Sequence, residues 1–274
     1  MSMSIRTNVA SLNAQRNMYQ TQMSLDSSLS KLSSGYRITK AGDDAAGLGI
    51  SVNLEAQIRS YNQAVRNAND GTSVVQTAEA ALNSQTNTLS RLRELAMQSA
   101  SDGIGNTERG YIQSEVTQQV AEIDRIAQST EFNGTKLLNG VVSLDFQVGI
   151  RNVAANDRIS VSTVDATSAT LGVSGLNLST KALAQAALTT LDTAIETVST
   201  ARATLGAAGN RFGATVATVQ AASESLSAAN SRIRDVDVAE ETSKLARSQV
   251  LAQAGVSVLA QANQMPQMAL KLLG

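Results

Sequence analysis

The sequence predicts a mainly α-helical protein, a long antiparallel helical, coiled-coil bundle with one small β-hairpin, in which the N- and C-terminal helices pair. Three observations support this class. Apolar residues recur every three or four positions in both halves of the chain. Only one of the 274 residues is proline, so almost nothing interrupts a helix. Aromatic residues make up 3% and apolar residues 42%, a balance that favours thin interfaces between helices over a thick globular core.

The first part of the chain contains two predicted helices separated by a glycine-rich break. The first helix carries apolar residues at heptad spacing, namely Ile5, Val9, Leu12, Tyr19 and Met23. Four glycines between positions 35 and 49 then predict a break. The second helix is predicted to begin near Asp43 or Asp44, because a carboxylate stabilises a helix N-terminus, and to continue to about Ser99.

A third, shorter helix and a hairpin follow. A turn at 101–106 predicts that the third helix folds back on the second. Beyond Phe132 the apolar period changes from that of a helix to two, and Ile159 and Val161 provide a second strand. We therefore predict a β-hairpin at about 141–163. The Ser-, Thr- and Gly-rich residues 163–180 are predicted to be irregular.

The second half contains a strict seven-residue repeat of large apolar residues. Its members are Leu191, Val198, Leu205, Phe212, Val219, Leu226 and Ile233. Small residues lie three positions beyond most of them, which is typical of a close-packed, left-handed coiled-coil seam. We interpret this repeat as an assembly seam. After Ile233 the phase shifts by five residues, which predicts a separate terminal helix.

Both predicted terminal helices carry few charges. Residues 1–30 contain only Arg6, Arg16 and Asp26, and residues 248–274 contain only Lys271. Weakly charged amphipathic helices are poor candidates for a free, solvated state, so we expect them to associate with copies of themselves. The predicted residues of this terminal-helix assembly are Ile5, Val9, Leu12, Leu245, Val256 and Leu259.

Composition argues against most chemistry. The chain has no His and no Cys, so it lacks an imidazole base, a thiolate and the usual transition-metal ligands. We predict no catalytic, cofactor-binding or metal-binding residues, and no enzyme. The formal net charge of −1 gives no electrostatic basis for binding nucleic acid. The first residues are not followed by an apolar segment, so no secretory leader is expected. The longest uncharged run, Ser248 to Leu270, holds six amide side chains, so no membrane span is predicted.

One charged segment allows two interpretations. Residues 232–247 hold four positive and four negative side chains. They form ion pairs, within the chain or across a subunit contact, or they belong to a plain solvated helix.

Short motifs at both ends resemble those of the bacterial flagellins. In the N-terminal half these are LSSGYRI (32–38), DDAAG (43–47), RNANDG (66–71), LRELA (92–96) and FNG (132–134). In the C-terminal half they are NRF (210–212), SRI (231–233) and QAGVSVLAQANQ (253–264). Each motif alone is weak evidence for this family, but all of them together, in this order and at both ends of the chain, resemble the family specifically.

The resemblance implies a structural subunit that self-assembles into the flagellar filament used for swimming motility, in a minimal form without inserted outer domains. It implies an inner terminal-helix domain, a channel-lining coiled coil, made of residues 1–42 with 236–274. Residues 43–235 would form a rod domain of long helices with the hairpin at about 141–163. The family is exported unfolded by a type III route, without a leader, and polymerises at the filament tip, so the expected location is extracellular.

The resemblance also implies partners. These are other copies of the chain in a helical homopolymer, an export chaperone at the C-terminal segment from Val238 to Gly274, and the filament cap and junction proteins. Some members are ligands of Toll-like receptor 5, and the matching positions are Arg91, Leu95 and Glu115. Two alternative functions are the hook–filament junction protein and a helical secretion adaptor or translocator.

Overall fold

The computed structural model describes the backbone of residues 7–273 and the side-chain surroundings of residues 7–264, so the predicted assembly residue Ile5 lies outside the described residues. The helices are α1 (Val9–Ser34), α2 (Ala45–Ser99), α3 (Asn106–Ser129), α4 (Ala154–Asp157), α5 (Lys181–Arg234) and α6 (Val238–Leu273). The strands are β1 (Glu131–Phe132), β2 (Thr135–Lys136), β3 (Ser143–Gln147) and β4 (Arg158–Ser162). The predicted fold class is confirmed.

The chain divides into two compact units. Unit 1 comprises Met1–Ala56 and Ser225–Gly274, and unit 2 comprises Gln57–Glu224. Both divisions fall within long helices, α2 and α5. The domain boundaries predicted from the sequence, 42/43 and 235/236, lie instead in the connecting segments at the ends of those helices.

Unit 1 is built on the antiparallel pair of α1 and α6. The Asn8 side chain donates to the carbonyl of Ala262 (2.8 Å), and Ser28 at the other end of α1 donates to Glu241 (2.7 Å). Asn8 also caps α1 by accepting from the Ser11 amide, and α1 ends at Gly35 in a left-handed conformation with φ +74°.

The segments that join the helices of unit 1 are tied together. Arg37 donates to the carbonyl of Ile233 (2.7 Å) at the end of α5. Arg234 lies over the Tyr36 ring, 4.2 Å from its centroid, and forms an ion pair with Glu55 (3.1 Å). The charged segment 232–247 therefore contains ion pairs within the chain, as one of its two interpretations predicts.

Unit 2 contains the main apolar core. Here α2 runs antiparallel to α5, as shown by the ion pairs of Arg93 with Asp192 and of Lys181 with Asp102. It also runs antiparallel to α3, as shown by the contacts of Arg91 with Glu115 and of Gln85 with the carbonyl of Ile123. The largest fully buried aliphatic side chains include Leu82, Leu89, Leu92, Val116, Ile123 and Leu191. Each of them continues the helical apolar period of the sequence, so the amphipathic pattern specifies this core.

The predicted hairpin is present as β3 and β4. The strands are antiparallel, with Leu144 opposite Val161 and Phe146 opposite Ile159. A second, shorter hairpin, β1–β2, was not predicted. Its turn consists of Asn133 and Gly134, both with positive φ (49° and 77°), which is the backbone that an Asn-Gly turn favours.

Candidate assembly site

Helix α1 exposes an apolar stripe that its contact with α6 leaves largely uncovered. Val9, Leu12, Tyr19 and Met23 are each more than half exposed, and Tyr19 is 70% exposed. At 100° per residue these four side chains fall within one quadrant of the helix, whereas the buried Ser11 and Ser28 lie on the opposite half. The stripe is the heptad series of the sequence, and the pairing of α1 with α6 leaves it uncovered.

Helix α6 exposes apolar side chains around much of its circumference. Val238, Val250, Leu251, Val256 and Val258 are each more than half exposed, while Leu245 and Leu259 are half-buried. A helix that is apolar on several sides is stable when other elements surround it. One partner helix is not enough to cover α6.

The contact between α1 and α6 uses small and polar residues. Within the described parts of the two helices, Ala262 is the only hydrophobic residue classed as buried, and the other buried residues are Ser11, Ser28, Glu241 and Ser248. The large apolar side chains that take part in this contact are only half-buried, namely Met18, Leu25, Leu32, Leu245 and Leu259.

Glu241 is the charged group inside the contact and is 6% exposed. The hydrogen bond from Ser28, supported by the positive charges of Lys244 and Lys31, lowers the pKa of Glu241 against the opposing effect of burial. Glu241 is therefore ionised at neutral pH and holds α1 and α6 together through Ser28.

The seven-residue repeat proves to be internal. Leu191, Val198, Leu205, Phe212 and Val219 are buried in unit 2. Leu226 and Ile233, which belong to unit 1, are half-buried. We therefore correct the interpretation of the five buried residues: they form a seam within one subunit, and a neighbouring copy cannot reach them. Spacing alone does not distinguish the two kinds of seam, since both require the same period.

The three predicted receptor residues have different surroundings. Arg91 is half exposed and forms ion pairs with Glu115 (2.9 Å) and Glu94 (3.2 Å). Glu115 is also exposed at the surface of α3. Leu95 is only 2% exposed, so its side chain is part of the core and is not offered to a partner. The structure thus brings Arg91 and Glu115 together and removes Leu95 from the surface.

The sequence-based site set missed several exposed residues. Tyr19 and Met23 belong to the same stripe as Val9 and Leu12, and Val250 and Val258 belong to α6. The heptad series contained the signal for the first two. The exposure of Val250 and Val258 depends on which side of α6 is covered by α1, and no local sequence pattern indicates this.

Within the part of the chain that the structure describes, no cluster of three or more acidic side chains is arranged to hold a metal ion. Over the same residues, none of the helices combines the length and the hydropathy that crossing a membrane requires.

Long terminal helices with uncovered apolar faces define a class of protein, the helical structural proteins that associate with their own copies. Comparison with known proteins specifies the family. The model of the bacterial flagellin N-terminal helical region matches residues 5–143, and that of the C-terminal helical region matches residues 188–273. The chain belongs to the bacterial flagellin family.

Full-length relatives agree with this assignment. The chain is 43% identical to the flagellar filament 33 kDa core protein of Treponema phagedenis, over 99% of this chain and 100% of the relative. It is 42% identical to the flagellin of Halalkalibacterium halodurans and 39% identical to that of Bacillus subtilis, with the same coverage.

Solved structures show the same fold. The crystal structure of Bacillus cereus flagellin superposes with a TM-score of 0.51 at 32% identity, covering 56% of this chain and 88% of that chain. A putative flagellar hook-associated protein from Vibrio parahaemolyticus superposes with a TM-score of 0.58 over 70% of this chain and 100% of that chain. At 13% identity, this second likeness shows the fold alone.

Proposed function

We propose that this flagellin polymerises with copies of itself into the extracellular flagellar filament used for swimming, and that the α1–α6 pair supplies the main contact. The family consists of structural filament proteins rather than enzymes. The observation that carries the proposal is the exposure of large apolar side chains on α1 and α6, combined with the incomplete burial of the apolar side chains between the two helices.

The magnitude of this exposure favours a polymer over a dimer. Nine described side chains on the two helices are large, apolar and more than half exposed. Covering each contributes on the order of 1 kcal/mol, because a fully buried side chain of this size contributes about 1.5–3 kcal/mol. Association costs about 4–15 kcal/mol, so a neighbour on one face recovers too little. Neighbours on several faces together recover about 9 kcal/mol, which lies within the range of this cost.

We further propose that the terminal-helix domain, residues 1–42 with 236–274, lines the filament channel, and that residues 43–235 form the surrounding rod. Both chain ends contribute to unit 1, which supports a domain of this composition. Export of the unfolded chain is compatible with the absence of cysteine, since no disulfide can form that would block passage of the chain through an export channel.

The segment from Val238 to Gly274 is the proposed site of an export chaperone. Its described part exposes Val250, Leu251, Val256 and Val258, which suits an amphipathic helix held in an apolar groove. The same surface would be covered in the filament, so chaperone binding and polymerisation would exclude each other. The filament cap and junction proteins are the further partners expected at the filament ends.

Recognition by Toll-like receptor 5 is a secondary proposal. It rests on the exposed pair of Arg91 and Glu115, since the burial of Leu95 removes that side chain. A receptor reporter assay on monomer should show weaker activation by Arg91→Ala than by wild type. No response to wild-type protein at saturation would contradict the proposal.

Seeded filament growth tests the main proposal. We expect Leu12→Ser or Tyr19→Ser to abolish elongation from wild-type seeds, because each replaces an exposed apolar side chain of the stripe with a polar one. Val141→Ser is a matched control, since Val141 is 72% exposed but lies in unit 2, outside the α1–α6 pair. Circular dichroism should show equal helicity for all monomers. Normal elongation by both stripe variants would contradict the proposal.

The two alternative functions are less well supported. The hook–filament junction protein is expected to share flagellin-like ends, but identities of 39–43% over 99% of the chain are to flagellar filament proteins and flagellins. Quantifying the subunit on isolated flagella separates the two, because a junction protein is scarce and a filament subunit abundant. A secretion adaptor or translocator would form no long filaments at all under electron microscopy.

A further inference from the structure

Unit 1 contains a groove of about 470 Å³ between α1 and α6. Three cationic side chains line it, Lys31 from α1 and Lys244 and Arg247 from α6. Glu241 is the one carboxylate of the lining. The lining therefore has an excess of positive charge.

Part of this charge is neutralised within the subunit. Glu241 accepts a hydrogen bond from Ser28 (2.7 Å) and lies 3.4 Å from the amino group of Lys244. Lys244 forms a closer ion pair with Glu240, at 2.8 Å. Glu241, Lys244 and Glu240 therefore compensate one another's charge and are not available to a partner.

The remaining two cations have no such partner. Arg247 is exposed and forms neither an ion pair nor a hydrogen bond with any residue that the structure describes. Lys31 is half-buried and forms no ion pair among these residues, although Glu241 lies within range of its charge. The groove therefore presents two cations to which a carboxylate from outside can bind.

The same unit carries a matching acidic group at a separate place. Asp235, in the turn between α5 and α6, is exposed, and its carboxylate has no partner in the described part of the chain. Its backbone is held in place by a hydrogen bond to the carbonyl of Ser231 (2.9 Å) and by a β-bridge with Tyr36. The nearby Asp237 is different, because its carboxylate caps α6 by accepting from the amides of Ala239 and Glu240.

Asp235 cannot reach Arg247 in the groove of its own subunit. Arg247 lies nine residues beyond the start of α6 at Val238, which is about 14 Å along the helix axis. An ion pair requires approach to within about 4 Å. Asp235 and Arg247 can therefore form an ion pair only between two copies.

We propose that the Asp235 carboxylate of one copy docks on Arg247 in the groove of the next copy, an inference that rests on the proposed polymerisation. The carboxylate and the groove are different surfaces of the subunit, so each copy can donate to one neighbour and accept from another. A heterologous contact of this kind leaves one carboxylate and one groove free in a dimer. Further copies can therefore bind, and the contact can continue along a filament.

Charge reversal tests the contact. Asp235→Arg and Arg247→Glu each place like charges together, and we expect each to raise the critical concentration for seeded growth about tenfold, the effect of roughly 1.4 kcal/mol. The double variant D235R/R247E restores the attraction with reversed sign and should elongate. An equimolar mixture of the two single variants should also elongate, because each variant then complements the other. Lys40→Glu, an exposed lysine outside the groove, is the matched charge control.

The outcomes separate this contact from polymerisation in general. If wild-type protein does not grow from seeds, the proposed function fails and this contact fails with it. If wild type grows and both single variants grow equally well, the contact alone is wrong. Failure of both the double variant and the mixture to recover, with monomer helicity unchanged, would also overturn it. Higher salt should raise the critical concentration of wild type, since ions screen this contact.

Discussion

Gly71 of α2 lies against the ring of Phe212 of α5 in the core of unit 2. A Cβ atom at position 71 would be 2.5 Å from Cζ and 2.7 Å from Cε1 of that ring. Phe212 is fully buried, and it packs edge-on against Phe146 with ring centroids 5.4 Å apart. The ring therefore has little room to withdraw, and we expect Gly71→Ala to destabilise unit 2.

Two opposing effects determine the size of this change. Replacing glycine by alanine inside a helix is worth about 1 kcal/mol of stability where nothing clashes. Overpacking a rigid core costs about 1–3 kcal/mol. Because the approach of 2.5 Å is far inside van der Waals contact, we expect the cost to lie at the upper end and the net loss to be about 1–2 kcal/mol.

Gly213→Ala is the matched control. Gly213 is exposed on α5, beside Phe212 in sequence, and a Cβ there would meet no atom within 4 Å. It should therefore gain about 0.5–1 kcal/mol. The opposite signs of the two glycine substitutions distinguish a clash from a general effect of helix propensity.

Urea unfolding of the monomer, followed by far-UV circular dichroism, measures both changes, and hydrogen exchange of the α2 amides assigns them to unit 2. A double-mutant cycle with Phe212→Leu, which removes the ring, should abolish the cost of Gly71→Ala. The reasoning is refuted if Gly71→Ala stabilises the protein as Gly213→Ala does, or if its cost persists in the F212L background.

Three further predictions concern buried polar groups. The pKa of Glu241 is lowered in the folded chain, so its contribution to stability is complete above about pH 4.5 and is lost as the pH falls through the lower folded value. Ser28→Ala should shift the acid loss of helicity to higher pH, whereas Ser24→Ala, which alters an exposed helix serine, should not; identical acid midpoints would contradict this. The Arg109 guanidinium caps the end of α2 through two backbone carbonyls, so Arg109→Leu should cost about 2–4 kcal/mol in urea unfolding, and a cost below 1 kcal/mol would show that the bonds contribute little. Gln85→Met keeps the side-chain volume but removes two buried hydrogen bonds to carbonyls, so the melting temperature should fall by the equivalent of about 2 kcal/mol, and an unchanged value would disprove it.

The helices of this protein were predictable because their signals are local. The repeat from Leu191 to Val219 reports the buried face of α5 directly, since a seven-residue period keeps one side of a helix against its neighbours. The alternation around Leu144 predicts the β3–β4 hairpin for a similar reason, because successive strand residues face opposite sides. The β1–β2 hairpin was missed because strands of two residues have too few positions to show a period.

The candidate site was predicted less completely. Val9 and Leu12 were placed on an apolar stripe, which is correct, but the pattern does not show that α6 covers the other side of α1. Leu95 was predicted as a receptor residue although it is buried. A sequence motif does not show whether an apolar residue within it packs into the core or faces solvent. The Ser28–Glu241 hydrogen bond joins residues 213 positions apart, and no local pattern contains such a pair.

The order of the helices, their apolar faces and the lack of catalytic side chains follow from residue types and short-range spacing. Which apolar faces are buried within the subunit, and which remain for other copies, depends on how the long helices pair in three dimensions. The seam of α5 is internal because α2 and the hairpin cover it, while the stripe of α1 is external because α6 contacts another face of α1, which includes Ser28. Both surfaces have the same heptad period, and only the packing of the folded chain distinguishes a core from an assembly surface.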